Sequence, residues 1–126
     1  MKTLQIVESA YRATVEEQDD TILWITHAMR GAGAELGVLL CGNAVSYAVR
    51  GQEASGIQFG EWQQTQPPNI AGDLAALIGK GVEVYVVEED LRRRGIPATR
   101  VIDAVKPVAR KDLAGLFDQY ARLWHW

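Results

Sequence analysis

The sequence predicts an α/β domain: three layers, α/β/α, built on a mainly parallel five-stranded sheet. Two observations carry this. Strand-like and helix-like patterns alternate along the chain, the signature of strands joined by helical crossovers. The apolar run LGVLL at Leu36–Leu40 is continuous rather than alternating, as expected of a strand buried on both faces. At 126 residues and 48% hydrophobic content the chain reads as one domain, residues 1–126, able to bury a core without disulfides or metal.

Thr3–Val7 is the first predicted strand, with a polar exit at Glu8-Ser9-Ala10-Tyr11. A capping box, Thr14 with Glu17, then predicts a helix running to about Arg30 and stopping at Gly31-Ala32-Gly33. Glu16, Glu17, Asp19 and Asp20 fall in its early turns, where the helix dipole favours acids. Val15, Gln18, Ile22, Ile25, Thr26 and Met29 recur on one face, expected to cover the sheet. Trp24 points the other way with His27 and Ala28, which suggests a subunit contact or a covering loop.

Leu36–Leu40 forms the second strand and Cys41, the only cysteine, ends it. Gly42 and Asn43 supply a turn and an N-cap, after which Ala44, Val45, Ala48 and Val49 recur at helical spacing. Gly51–Pro68 has no sustained period and reads as a loop, whose Phe59 and Trp62 would close over a neighbouring site or insert between subunits. Asn69–Lys80 is a second amphipathic helix marked by Ile70, Leu74, Leu77 and Ile78. Val82–Val87 is the clearest strand by composition. Glu88, Glu89 and Asp90 open a short helix that Arg92, Arg93 and Arg94 close before Gly95, an arrangement that accounts for the arginines without an anionic ligand. Pro97 begins a further helical turn through Asp103. Ala104–Ala109 is a fourth strand, held near an edge by Pro107, and Asp112–Tyr120 is a last helix. Arg122–Trp126 closes the sheet, with Trp124 and Trp126 on one face and Leu123 and His125 on the other.

Several function classes are set aside. The net charge of −3, with both signs interspersed, gives no footprint for nucleic acid. No apolar run approaches the ~20 residues of a membrane span. A single cysteine excludes an internal disulfide, and the start of the chain lacks a signal-peptide pattern, so a cytoplasmic location is expected. No Cys/His spacing resembles a metal site, and GAGAELG lies between a helix end and a strand, the reverse of a dinucleotide loop, so no cofactor is implied.

Ligands of open parallel sheets sit outside the carboxyl ends of strands. The candidate site is therefore the rim where Cys41 would meet Gly42, Asn43, Ser46 and Tyr47, walled by Ser9, Tyr11 and the acidic bend Glu88, Glu89 and Asp90. A cysteine before a helix N-terminus can have a lowered pKa and accept sulfur, whereas a cysteine at an apolar strand end can equally be inert.

The order of elements, with VLLCGNAVSYAV and GKGVEVYVVEEDLRRRGI, resembles the DsrE/DsrF-like (TusD-related) sulfur-relay family over almost the whole chain. The resemblance implies a small α/β subunit forming homo-oligomers, trimers or hexamers, that works with sulfur-relay partner proteins, often carrying sulfur as a cysteine persulfide. In such carriers a cysteine ends the strand of the second motif. The matching position here is Val87, followed by three acids that would disfavour a thiolate. Three readings follow: an auxiliary or structural subunit without the usual acceptor, a sulfurtransferase-like carrier using Cys41, or a small-molecule binding protein. Trp24, Phe59, Trp62, Trp124 and Trp126 are the expected interface residues.

Overall fold

The computed structural model describes residues 1–12 and 14–126, apart from the side chains of Val15 and Glu16. The expected places of those two side chains, on a sheet-facing helix surface and in early helical turns, lie outside the described residues. The elements are β1 (Thr3–Val7), α1 (Thr14–Glu17), α2 (Thr21–Gly31), β2 (Leu36–Leu40), a 3₁₀ helix (Gly42–Ala48), β3 (Gln58–Phe59), β4 (Trp62–Gln63), α3 (Ile70–Gly79), β5 (Glu83–Val87), α4 (Glu88–Arg93), β6 (Lys106–Val108), α5 (Leu113–Phe117) and β7 (Arg122–His125). Five strands form one sheet in the order β6-β5-β2-β1-β7, parallel at every pairing. Pro107 sits in β6 at one edge, where its missing N–H costs no ladder bond.

The two faces of the sheet are covered unequally. Val7, Val38, Leu40, Val84 and Val86 pack against α2, α3 and the 3₁₀ helix through Ile22, Leu23, Leu74, Leu77 and Val45. The opposite face carries Leu4, Leu39, Tyr85 and Val87 under Leu116 and Tyr120, with α5 as a thin third layer. Gly37, the one residue in the β2 run without a side chain, makes room for Tyr120, whose ring and hydroxyl would collide with a Cβ there. A buried polar thread ties the last strand to α2: Trp126 Nε1 donates to Gln5 Oε1 (2.8 Å), Gln5 Nε2 donates to Thr26 Oγ1 (3.3 Å), and Thr26 donates to the Ile22 carbonyl.

Several expected boundaries change. The helix predicted from Thr14 to Arg30 is broken at Gln18, whose backbone is left-handed (φ 66°), and α2 starts afresh at Thr21. Among the described residues no capping box joins Thr14 and Glu17. Thr14 is buried and donates to the Arg12 carbonyl, while Glu17 accepts from the Thr21 hydroxyl. Asp20 is the cap: its Oδ1 accepts from the amides of Ile22 (2.9 Å) and Leu23 (3.0 Å). Restarting the helix there resets its phase, so Leu23 is fully buried, Gln18 is exposed, and Ile25 and Met29 are only half-buried. Gly51–Pro68 is not a plain loop, because β3 and β4 pair as a hairpin around left-handed Gly60 with Phe59 opposite Trp62. The turn after Pro97 shrinks to a 3₁₀ turn at Ala98–Arg100, and the last helix to the five residues of α5.

Tyr47 is fully buried, and its hydroxyl donates to Asp20 Oδ2 (2.6 Å) while accepting from the Tyr11 amide (2.7 Å). Asp20 thus caps α2 and satisfies a core phenol with one carboxylate. Asp20→Ala removes a cap worth about 1 kcal/mol and strands the Tyr47 hydroxyl, for a combined loss of about 2–4 kcal/mol. Tyr47→Phe should cost about 1–2 kcal/mol, and the double variant less than the sum, since both lose the same bond. Urea unfolding of the three variants measures each value.

Candidate functional site

Each sheet strand delivers a residue to the carboxyl rim. Leu40 of β2 lies in register with Val86 of β5, so Cys41-Gly42 and the acidic bend Glu88–Asp90 leave the sheet side by side. The two exits are bonded directly: the Gly42 amide donates to Asp90 Oδ2 at 2.8 Å. The second Asp90 oxygen takes Arg110 Nη2 at 2.5 Å, which ties in the segment after β6. At the end of β1, Glu8 lies against Gly42, where a Cβ would come within 2.9 Å of its side chain; left-handed φ (53°) also favours glycine there. His125, from β7, reaches Glu8 Oε2 at 2.7 Å.

Between these exits lies a cleft of about 600 Å³ lined by Glu8, Cys41, Gly42, Asn43, Asp90, Arg93, Arg94 and Arg110. Asp90 is buried beneath it, with a side chain only 7% exposed against 51% for its partner Arg110. Glu89 holds the same segment from outside by accepting the Arg110 amide with both oxygens at 3.0 Å, and this bond holds its carboxyl below the usual range. Arg94 forks onto Asn43 Oδ1 through Nε (3.2 Å) and Nη2 (2.9 Å), and its Nη1 donates to the Asp90 carbonyl. Among the described residues the Arg93 side chain makes no hydrogen bond or ion pair.

Of the residues expected at this site, Cys41, Gly42, Asn43 and Asp90 meet in the cleft, and the others do not line it. Tyr47 faces the core, as described above. Tyr11, in a left-handed turn (φ 60°), stacks edge-on against Tyr47 and lines a separate pocket of about 290 Å³ with Gln52, Pro68 and Ile70. Ser9 is exposed beside the end of β7, its amide bonding the Trp126 carbonyl. Ser46 offers its carbonyl to Gln52. Glu88 faces a hollow with Leu91, Arg92 and Pro107. Glu89 braces Arg110 from outside. Asn43 is not the helix cap; Cys41 occupies that position without a side-chain bond, and the Asn43 carbonyl oxygen serves Arg94 instead.

Glu8, Arg93, Arg94 and Arg110 line the cleft without having been expected there. Glu8 carried a signal, since it is the first residue beyond β1 and therefore nearest the rim. The arginines of α4 carried one too, but one helix can place bases at its carboxyl end and still turn two of them into a cleft. Arg110 is brought in by tertiary structure alone. Among the described residues no group of three or more His, Cys, Asp or Glu is placed to hold a metal ion.

Cys41 is half-buried, with Sγ 3.7 Å from the Val7 carbonyl to which it donates. Burial first, then the charges of Glu8 and Asp90, push its pKa up to about 11, against the weaker pull of Arg110 and Arg94. The lowering that a helix N-terminus can give a thiol is outweighed here. Two of the turn amides are already taken, Gly42 by Asp90 and Ala44 by the Glu8 and Cys41 carbonyls, and the carboxylate that takes the first brings negative charge. Alkylation of Cys41 should therefore be slow at neutral pH and still climbing at pH 10. Glu8→Gln, which removes a negative neighbour, should lower the apparent pKa, and Arg110→Gln should raise it; a pH–rate profile with iodoacetamide reads both.

The DsrE/DsrF-like family profile matches residues 5–125. In fold the chain is similar to the crystal structure of the ychN protein from E. coli, with a TM-score of 0.73 and 21% identity over the whole of both chains. It is also similar to MTH1491, a protein of unknown function from Methanobacterium thermoautotrophicum, with a TM-score of 0.64 and 14% identity over 99% of this chain and 98% of that one. No curated protein matches the chain. With the profile spanning nearly its full length and the sheet it requires in place, the chain belongs to the DsrE/DsrF-like family.

Proposed function

We propose that this protein serves sulfur metabolism as an auxiliary, non-acceptor subunit of a DsrE-type homo-oligomer rather than as a persulfide carrier. One observation supports the reading: Val87, which the family resemblance sets at the position of the acceptor cysteine in sulfur-carrying relatives, is fully buried against Leu4, Leu39 and Tyr85. An aliphatic side chain there can neither attack a sulfur donor nor hold the product. The competing reading, persulfide formation on Cys41, needs the thiolate. With its pKa near 11, roughly one Cys41 in 10⁴ is ionised at pH 7.

Support for an assembly comes from the surface. Phe59 (71% exposed), Trp62, Trp24, Trp126 and Trp124 (38%) are large apolar side chains left open to solvent, and Leu123 is open beside Trp124 and Trp126. Aromatic residues of this kind are enriched where subunits meet. A trimer or a dimer of trimers in a reducing cytoplasm, docking sulfur-relay proteins, is the corresponding picture. No helix among the described residues is long and apolar enough to cross a membrane.

Intact-mass spectrometry after incubation with a persulfide donor tests the chemistry. The expected result is no sulfur adduct on the parent protein; an adduct that Cys41→Ser abolishes would establish the carrier reading instead. Light scattering tests the assembly, with a trimer or hexamer expected at micromolar concentration and a monomer excluding it.

A further inference from the structure

We infer that the rim cleft binds, without covalent chemistry, a small organic anion whose tetrahedral oxyanion head group is gripped by Arg93 and Arg110. Three arginines from two separate segments line one concavity in a chain whose net charge is −3. They are not equivalent. Arg94 is spent, with its fork on Asn43 and the Asp90 carbonyl. Arg110 commits Nη2 to Asp90, which aims the guanidinium and leaves other N–H groups of its five for a ligand. Arg93, exposed and without a partner among the described residues, commits none. Planar forks of this kind match phosphate and sulfonate oxygens in pairs of parallel bonds.

Size and lining narrow the class. A cleft of about 600 Å³ is far larger than a bare inorganic ion needs and falls in the usual range for small-molecule sites. Its residues are polar or charged apart from Cys41 and Gly42, which argues against a lipid or an aromatic guest. The strand order sets Glu8, after β1, across the cleft from Arg110, after β6. A ligand with its oxyanion on the arginines therefore presents its other end to the Glu8 carboxylate, whose Oε2 is held by His125 and whose Oε1 suits an amine or hydroxyl. The un-ionised Cys41 thiol on the floor offers no charge to repel the head group.

The inference leans on the non-carrier reading only in requiring Cys41 to remain a thiol, and the two are read by different measurements: sulfur loading by mass, ligand binding by titration. The full-length protein is titrated calorimetrically with phosphoethanolamine, taurine and inorganic phosphate, which separate phosphate from sulfonate heads and test the need for an amine. Saturable binding of at least one amine-bearing probe is expected, with slowed Cys41 alkylation at pH 9.5 as an independent readout of occupancy. Arg93→Ala, which disturbs no internal bond, should weaken binding at least tenfold, and Arg93→Ala with Arg110→Gln should abolish it. Glu8→Gln should weaken the amine-bearing probe and leave inorganic phosphate unaffected. Absence of saturable binding by all three probes at millimolar concentration, or unchanged affinity in Arg93→Ala, would overturn the inference.

Discussion

A carboxylate buried to 7% exposure is stable only if both its oxygens are paired, and Asp90 meets that demand with two partners from different parts of the chain. One is the Gly42 amide, the first backbone group beyond Cys41. The other is the guanidinium of Arg110, just past the end of β6. Through these two bonds Asp90, itself on the first turn after β5, fixes three strand exits relative to one another. The cleft exists because those exits are held apart and in order, and Glu89 reinforces the arrangement by clasping the Arg110 amide from outside.

The same joint decides what the cleft can do. A thiol beside a helix terminus is a candidate nucleophile when the terminal amides are free to stabilise its anion. Here the nearest amide is already bonded to a carboxylate, and Glu8 adds a second negative charge across the glycine. Two arginines work in the opposite direction without prevailing. The DsrE-type sheet of this chain thus holds Cys41 beside two carboxylates that raise its pKa, and ends β5 on the buried Val87. The same rim carries the guanidinium groups of Arg93, Arg94 and Arg110.

The strands were legible because burial on both faces leaves a continuous apolar record, clear in β2 and β5, and because Pro107 marks an edge by its chemistry. The meeting of the Cys41 turn with the acidic bend followed from parallel pairing alone. Other features left weaker traces. Thr14 and Glu17 have the residue types of a capping box, yet Asp20 outcompetes them, since its short side chain reaches two amides and also the hydroxyl of Tyr47, 27 residues away in sequence. Tyr47 has the composition of a rim residue and the position of a core one, a distinction settled by the phase of a 3₁₀ helix rather than an α-helix. The β3–β4 hairpin is two residues a side, too short for a periodic signal. The arginines at the end of α4 have a sufficient local explanation, which masks their place in the cleft that Arg110 also lines.

Amide hydrogen exchange at Gly42 tests the central claim most directly, because that N–H has no partner in the sheet and owes its protection to Asp90. A charge-assisted bond of this kind should slow exchange in the parent protein roughly ten- to a hundredfold relative to an unbonded turn amide. In Asp90→Ala that protection should vanish at Gly42, while amides of β2 and β5 change only by the global loss of stability. A Gly42 amide that exchanges in the parent as fast as an open turn, or one whose protection survives Asp90→Ala, would contradict the account.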